Sequence, residues 1–472
     1  MTEKLSESTL LDALVDFAQK IEFGDLPSNT IGAAKRRLLD SLGCAVGGWR
    51  DEAISITSEV LSRYGYGPGR SGFSLINSLG TAPWDAAYAN THMIRVLDWN
   101  DTYLSLEPAH PSDNIGALLA VCGCVPVSGE ELLTAMVLAY DIQCRFCDAA
   151  SLRARGWDHV AYVAIASCLA ASKLLGLSRE QMKEAVALAM RWMPLRQIRA
   201  GTQVSMAKGT SSAEATKAAV WSALLAQNGM TGPKGIMEGQ FGFIKQISGP
   251  LYLETFDELG RSFKLPETYI KLYPVEYHAQ AAVEAALKLR QAIGGSINSI
   301  TRIRIETYEA AKSIIADPAK RRPATKESAD HSLYYILAVT LLDGQMTLAQ
   351  YDPSRLADPK VLALIDKMED VYETPQFNAA YRRQEFPIRL EASLASREFA
   401  ALSALVEIPK GHPKRPLNDR ELEKKFRSLC DGIASPTRQA AMMAGVLDIE
   451  TAKDVACELS RAIHGLPFER RS

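Results

Sequence analysis

The sequences LDWNDT and AHPSDN lie close together in the chain and are dense in groups that could move protons. We expect Asp98 and Asp101 to end one helix, and Ser112 or Asp113 to cap a second helix that follows His110 and its proline. A helix N-terminus beside a histidine and two carboxylates suits proton transfer on an anion. Capping and turn formation alone would account for the same residues equally well.

The sequence RAGTQVSMAKGTSS could bind an anion. It places Lys208 just before a helix that a Ser211-x-x-Glu214 capping box is predicted to open. The N–H groups at that helix start, with the hydroxyls of Thr210, Ser211 and Ser212, would form a cradle for a carboxylate or a phosphate. The glycine and lysine order of a P-loop is absent. An exposed lysine in a loop is the alternative interpretation.

Three shorter motifs bring further polar groups to the ends of predicted helices. GWDH ends on His159, KLYP begins at Lys271 and leads to His278, and DHSLYY ends on Tyr335. A lone histidine in apolar helical sequence is usually a hydrogen-bonded structural residue. Turns or core packing would therefore explain each motif when it is taken alone.

The spacing of Cys144 and Cys147 is compatible with half of a zinc or iron–sulfur site. The pair lies in the middle of a predicted helix, whereas such sites need more ligands in loop-like settings. Most of the eight cysteines lie among alanine, valine and leucine, as buried thiols do. We therefore expect no metal site and no disulfide framework.

Helices must position most of these groups, because apolar residues recur at helical spacing through the first half of the chain. Capping boxes at Ser128 and Ser178 mark two helix starts. The alanine-rich run after His159 predicts a central helix, since small residues allow helices to pack closely. The predicted helices of this half cover residues 7–21, 29–46, 51–64, 82–97, 129–149, 160–175, 179–193 and 212–228.

The second half mixes strands with helices before helical sequence returns. Strands are predicted over residues 300–308, 386–393 and 400–408. Helices are predicted over residues 279–292, 328–342, 359–371, 419–429, 436–444 and 451–463. The pattern predicts a mainly α fold, in which an α+β domain of residues 266–410 interrupts a helical domain of residues 1–265 plus 411–472.

The composition narrows the classes of partner. The chain has 472 residues, enough to bury a large core without disulfides. Its 53 lysines and arginines nearly balance 55 aspartates and glutamates, so no strong field favours nucleic acid or an anionic membrane surface. Its apolar stretches are too short to span a bilayer, and its N-terminus lacks a signal-peptide pattern. We expect a cytoplasmic protein that binds any anionic ligand in a local basic pocket.

Six motifs, in this order, resemble the MmgE/PrpD family. They read LDWNDTYLSLEPAHPSDNIGALLA, GWDHVAY, SMAKGTSSAEA, NGMTGP, KLYPVEYHAQAAVEAA and KESADHSLYYILAVTLLDG. The resemblance implies a large all-helical domain formed by both chain ends, an inserted α+β lid domain, a homodimer, and no metal or organic cofactor. It places the active site in the cleft between the domains. The residues it implies there are Asp98, Thr102, His110, His159, Lys208, Lys271 and Tyr335, with Arg199 and His278 as additions.

The resemblance also implies an activity. We expect a hydro-lyase of propionate catabolism that dehydrates the small tricarboxylate 2-methylcitrate to 2-methyl-cis-aconitate and could accept citrate. The HPSDN and NDT sequences resemble the dehydratase branch of the family, and VEYHAQ around His278 differs from the decarboxylase branch. A cis-aconitate-type decarboxylase, a dicarboxylate epimerase or isomerase, and a binding protein without turnover remain the alternatives.

Dehydration requires a base for a carbon-bound proton, an acid for the leaving hydroxyl and cations for the carboxylates. We expect His110, tuned by Asp98, to move the carbon-bound proton. His159 or Tyr335 would protonate the leaving group. The basic side chains expected to bind the substrate carboxylates are Lys208, Lys271 and Arg199.

Overall fold

The computed structural model describes residues 9–64, 72–76, 81–199, 204–294, 297–395, 401–463 and 466. The chain divides into two compact units. The first comprises Met1–Arg199, Met206–Thr268 and Asn418–Ser472, and the second comprises Ala200–Ser205 and Tyr269–Leu417. Within the described residues the fold is mainly helical with one small sheet, which confirms the predicted fold class. No helix in this described part is long and apolar enough to cross a membrane.

Local capping chemistry sets several helix starts in the first unit. Its described helices up to residue 227 are α1 Leu10–Lys20, α2 Ser28–Gly48, α3 Glu52–Tyr64, α4 Pro83–Arg95, α5 Ile115–Val121, α6 Gly129–Ala149, α7 Val160–Leu174, α8 Arg179–Ala189 and α9 Ala207–Gln227. Ser128 accepts a hydrogen bond from the N–H of Glu131, and Ser178 accepts one from the N–H of Gln181. α6 and α8 therefore begin where the capping boxes predict.

α7 runs through the interior of the first unit, as its alanine-rich sequence predicts. Every residue from Val160 to Ser172 is buried. The helix contacts α6, α8 and α9, and small side chains on its surface permit that close approach. His159 immediately precedes α7, so the position of this histidine is set by a helix that is buried over most of its length.

The predicted start of α9 is wrong. The helix begins at Ala207 instead of Ser212, so Lys208 lies in its first turn and Ser211 lies inside it. Ser211 and Ser212 are buried, and the Ser212 hydroxyl donates a hydrogen bond to the Asp113 carboxylate. Ser212 makes a tertiary contact in place of capping the helix, and local sequence does not reveal such a contact.

The second unit carries the sheet. Its described strands are β1 Ile300–Thr307, β2 Tyr372–Glu373, β3 Ile388–Leu394 and β4 Leu402–Val406. They lie in the order β2-β1-β3-β4, with β1 antiparallel to β3, β3 antiparallel to β4, and β2 parallel to β1. The helices of this unit are α10 Gln280–Ile293, α11 Glu309–Ile315, α12 Lys326–Ala329, α13 Leu333–Asp343, α14 Pro353–Leu356, α15 Pro359–Ile365 and α16 Pro375–Arg382. α10 packs on β3 and β4.

Two helix predictions in this unit are wrong. The predicted helix over 328–342 is interrupted, because the Ser332 hydroxyl caps a new helix by accepting a bond from the Tyr335 N–H at 3.2 Å. The predicted helix over 359–371 ends at Ile365. The chain beyond it instead pairs with β1, where the Glu369 N–H donates to the Ile303 carbonyl at 2.9 Å.

The chain returns to the first unit as α17 Asp419–Cys430, α18 Pro436–Leu447 and α19 Val455–Ile463. α17 and α18 contact α2. Lys425 of α17 is buried, and its Nζ lies 2.6 Å from Asp40 of α2 and donates to the Trp99 carbonyl at 2.8 Å. The C-terminal segment thus supports the backbone next to Asp98.

Candidate active site

The backbone turns sharply after α4, which ends at Arg95, two residues before the predicted end at Leu97. Asp98 has a φ of 51°, in the left-handed region that aspartate tolerates better than most residues. Its N–H donates to the Arg95 carbonyl at 3.0 Å and closes the turn. The Asp98 side chain is buried as a result.

Three basic groups surround the Asp98 carboxylate. Arg95 Nη1 lies 2.8 Å from Oδ1, and Lys208 Nζ lies 2.8 Å from Oδ2. His110 Nε2 lies 3.8 Å from Oδ1. Arg95 and Lys208 are themselves buried, so two cations and a histidine share one buried carboxylate. The structure thereby brings together Asp98, His110 and Lys208 from the expected site and adds Arg95 to them.

The tautomer of His110 follows from its hydrogen bond. Its Nδ1 lies 2.7 Å from the carbonyl oxygen of Asp101. A carbonyl oxygen only accepts hydrogen bonds, so Nδ1 carries a proton and donates it. In the neutral ring, Nε2 therefore carries the lone pair, and this is the nitrogen that faces Asp98. This geometry suits a base whose protonated form is stabilised by a neighbouring carboxylate.

Thr102 fixes the loop that carries His110. Its hydroxyl donates to the Ala109 carbonyl at 2.9 Å, and the backbones of Tyr103 and Ala109 form an antiparallel bridge. The two ends of the loop are thereby joined. The structure thus gives Thr102 a role in holding the His110 loop, and its binding of substrate stays a prediction.

The predicted caps after His110 are wrong. Pro111–Asn114 form a 3-10 turn before α5, and neither Ser112 nor Asp113 caps α5 with its side chain. Asp101 supplies the capping oxygen instead, because its Oδ1 accepts a bond from the Ser112 N–H at 2.9 Å. A residue that is distant in sequence thus satisfies the exposed N–H group.

Asp113 lies beside Arg95 and is fully buried. Its Oδ1 is 4.0 Å from Arg95 Nε and accepts a bond from the Asn100 amide at 3.3 Å. Its Oδ2 accepts a bond from the Ser212 hydroxyl. Burial raises the pKa of the Asp113 carboxyl to about 6, although Arg95 and Ser212 oppose the shift.

The predicted anion cradle at the start of α9 is wrong. The Thr210 hydroxyl donates to the Ala207 carbonyl at 3.0 Å, and the Ser212 hydroxyl is bonded to Asp113. Both lie within the helix and not before it. Lys208 reaches the candidate site through its ion pair with Asp98.

A second charged cluster surrounds His159, whose ring centroid lies 5.8 Å from that of His110. The neighbouring Asp158 is buried, with Oδ1 3.9 Å from His159 Nε2. Arg199 binds Asp158 with two nitrogens, at 2.6 Å and 3.1 Å, and Arg196 Nη1 lies 3.5 Å away. Arg199, expected to bind substrate, thus also holds Asp158.

The pKa values of Asp158 and His159 are both lowered, for different physical reasons. Burial alone would raise the pKa of Asp158, but Arg199, His159 and Arg196 together lower it to about 2. Burial lowers the pKa of His159 to about 3, opposed by Asp158 and reinforced by Arg199. His159 is therefore a neutral imidazole near pH 7 in this state.

The other expected site residues belong to the second unit. Lys271 is buried, at 1% exposure. His278 is also buried, and its Nδ1 lies 2.6 Å from the Tyr308 hydroxyl. The Tyr335 hydroxyl donates to the Gln350 carbonyl, and burial raises the pKa of Tyr335 above its ordinary value.

Cys144 and Cys147 are buried free thiols within α6, as the helix prediction expects. Burial raises the pKa of both thiols well above the ordinary value. A thiol must lose its proton to act as a strong nucleophile or metal ligand, so this environment disfavours either chemistry.

Comparison with known proteins identifies the family. Residues 12–254 match the family model of the MmgE/PrpD N-terminal domain, and residues 273–449 match that of the MmgE/PrpD C-terminal domain. The chain belongs to the MmgE/PrpD family.

Several relatives of this MmgE/PrpD protein are named as dehydratases. It is 32% identical to a 2-methylcitrate dehydratase from Cupriavidus necator, over 94% of each chain. It is 34% identical to the 2-methylcitrate dehydratase of Escherichia coli K12, over 71% of this chain and 72% of the relative. It is 31% identical to an alkylcitrate dehydratase from a fungal species, over 84% and 83% of the two chains.

The sequence of this MmgE/PrpD protein did not lead us to predict which residues contact the expected site residues. Arg95 stands in an ordinary helical pattern, and Asp113 was considered only as a helix cap. Arg196 lies in a segment without regular periodicity. The available signal was charge, because arginines in otherwise apolar helical sequence need a buried anion.

The Asp158 cluster predicts a stability effect. Asp158→Asn should lower the free energy of unfolding at pH 7 by about 3 kcal/mol, because two arginines lose their buried anion. The folded-state pKa is below the ordinary 3.8, so this stabilisation exists above 3.8 and disappears as pH falls through about 2. The difference between the two proteins in urea denaturation should therefore shrink on acidification.

The matched control is Asp419→Asn, which removes an exposed partner of Arg36 in the same unit. Exposed ion pairs contribute about 0–1 kcal/mol, so this variant should unfold almost as the wild type does. Equal urea midpoints for Asp158→Asn and wild type at pH 7 would contradict the role given to Asp158.

Proposed function

We propose that this MmgE/PrpD protein is a hydro-lyase that dehydrates 2-methylcitrate to 2-methyl-cis-aconitate. The names of the relatives support this reaction class, since they include 2-methylcitrate and alkylcitrate dehydratases. The observation that carries the proposal is the His110 geometry: a proton on Nδ1, and Nε2 turned toward Asp98 beside two buried cations.

The reaction begins with proton removal by His110. Nε2 takes a proton from the carbon next to a substrate carboxylate, and the electron pair of that C–H bond forms the new double bond. The C–O bond of the neighbouring carbon breaks, and its hydroxyl departs with one proton as water. Asp98 stabilises the imidazolium while it exists, because Oδ1 lies 3.8 Å from the protonated nitrogen.

Basic side chains bind the carboxylates of the substrate. Lys208 is suited to this role because its ammonium group lies 2.8 Å from the Asp98 carboxylate, which His110 also approaches. A cation near the carboxylate next to the reacting carbon stabilises the negative charge that develops there. The resemblance to the family supports Thr102, Lys271, Arg199 and His278 as the other binding residues.

The leaving hydroxyl receives its proton from His159 in this proposal. His159 is neutral without substrate, since burial and the surrounding cations lower its pKa to about 3. A bound tricarboxylate brings negative charges that favour the protonated ring and raise this pKa. The other candidate, Tyr335, already donates its hydroxyl proton to the Gln350 carbonyl, which favours His159.

The proposal predicts turnover of 2-methylcitrate by purified protein after treatment with EDTA. The product is a conjugated tricarboxylate, which is followed by its ultraviolet absorbance, with citrate assayed alongside. Catalysis by the protein's own acid and base groups should survive the chelator. The control is His110→Asn, which keeps a side-chain donor for the Asp101 carbonyl but removes the nitrogen of the base.

Three results would contradict the proposed mechanism or the proposed reaction. Loss of activity in EDTA would point to metal-assisted catalysis. Carbon dioxide released from cis-aconitate, without dehydration of any 2-methylcitrate stereoisomer, would indicate a decarboxylase. Deuterium uptake from solvent without loss of water would indicate an epimerase or isomerase.

We also propose that the enzyme acts as a homodimer in the cytoplasm. The resemblance to the family supports the dimer, and size-exclusion chromatography with light scattering measures it. All eight cysteines lie among the described residues, and each is a free thiol. A reducing compartment suits a chain of this kind.

A further inference from the structure

Arg95 is nearly fully buried and lies between two carboxylates. Its Nη1 is 2.8 Å from Asp98 Oδ1, and its Nε is 4.0 Å from Asp113 Oδ1. An arginine keeps its charge in proteins, so a buried guanidinium requires anions beside it. Both anions are also buried, and the three groups form one ionic cluster.

Asp113 is anchored from two further elements. Ser212 of α9 donates to Oδ2, and the amide of Asn100, which lies two residues beyond Asp98, donates to Oδ1. Lys208, one turn before Ser212 on α9, reaches the Asp98 carboxylate. Helix α9 therefore contacts both carboxylates that flank Arg95: Ser212 bonds to Asp113, and Lys208 pairs with Asp98.

Asp98 is the member of this cluster that adopts a restricted conformation. Its φ of 51° costs backbone energy, which the surrounding contacts must offset. Oδ1 is the atom that both Arg95 and His110 approach, at 2.8 Å and 3.8 Å. The position of this oxygen relative to the imidazole thus depends on the guanidinium.

We propose that Arg95 and Asp113 are positioning residues, which together hold the Asp98 carboxylate so that Arg95 and His110 share Oδ1. Their role in catalysis rests on the proposed function, but their effect on His110 does not. Asp113 supplies the second anion that lets Arg95 remain charged and buried while one of its nitrogens binds Asp98. Arg95 also competes with His110 for Oδ1 and so limits how strongly the imidazolium is stabilised.

The main test is the double variant Arg95→Met with Asp113→Asn, which removes both charges and leaves neither one unpaired. The titration of His110 is followed by NMR with labelled histidine, assigned with His110→Asn. We expect the His110 pKa to rise by about one unit, because Oδ1 loses its competing cation. kcat for 2-methylcitrate should fall at least about tenfold, with KM changed less than about threefold.

The matched control is Arg145→Met with Asp141→Asn. This is another buried arginine–aspartate pair of the first unit, joined at 2.7 Å, and Arg145 otherwise binds carbonyls of residues 255, 258 and 262. It should lower stability as the test variant does, while the His110 titration and kcat stay at wild-type values. A purely structural role for Arg95 and Asp113 would make the two double variants behave alike.

The single variant Arg95→Lys decides the question if the double variant does not fold. It keeps the charge, but its one ammonium group cannot hold both carboxylates as a guanidinium does. We expect a smaller shift of His110 in the same direction. A wild-type titration of His110 in whichever of these variants folds would overturn the proposal. A shift of His110 in a protein without dehydratase activity would reject the proposed function and retain the positioning role.

Discussion

His110→Asn should lower kcat for 2-methylcitrate by about 10³-fold, within the range that general bases contribute. Asparagine carries an amide N–H close to the position of Nδ1, so the bond to the Asp101 carbonyl can be kept. It has no group at the position of Nε2, so the base is lost while the loop retains its anchor. The rate of the ultraviolet absorbance change at saturating substrate measures the effect.

The control for this prediction is His412→Asn. His412 lies in the second unit, and its Nδ1 accepts a bond from the Lys414 N–H at 3.0 Å, which the asparagine oxygen can also accept. The same substitution at a buried histidine outside the proposed chemistry should leave kcat within about threefold of wild type. If His110→Asn retains more than a tenth of the wild-type kcat, His110 is not the base.

Local rules predicted the helices well where capping and periodicity agree. The starts of α6 and α8 follow from Ser128 and Ser178, because a capping box is complete within four residues. The Ser211 box satisfies the same rule and fails, because the helix already begins at Ala207 and the next serine, Ser212, bonds to Asp113, 99 positions away. Sequence at α9 does not distinguish a capping serine from a serine that serves a distant carboxylate.

The residue types indicated the chemistry of the site, but they did not indicate which side chains contact each other. Asp98, His110 and Lys208 were expected together, and they share one carboxylate in the structure. The tautomer of His110 depends on a backbone carbonyl, and a carbonyl has no sequence signature. Arg95 escaped notice because its two anions come from different segments. Such pairings depend on tertiary structure, and single-sequence patterns do not contain them.

The Asp98 carboxylate makes a second strong prediction. Asp98→Asn should reduce kcat by about 10²-fold, because the imidazolium formed on His110 would then lose the carboxylate at 3.8 Å while the two cations paired with that carboxylate remain. Asparagine has nearly the same size as aspartate and tolerates the left-handed φ of 51°, so the substitution adds little backbone strain. Alanine at this position would remove the charge and also add backbone strain, so the two effects could not be separated.

The pH profile distinguishes the loss of this charge from a general loss of structure. Removing an anion next to His110 lowers the pKa of the imidazole, so the acidic limb of kcat/KM should move to lower pH while the maximum falls. Removing the Arg95 and Asp113 charges should move the same limb to higher pH. Asp141→Asn, which breaks another buried pair of the first unit, should move it in neither direction. Opposite shifts for the two changes require Asp98 and Arg95 to act on the same histidine, and parallel shifts would refute that arrangement.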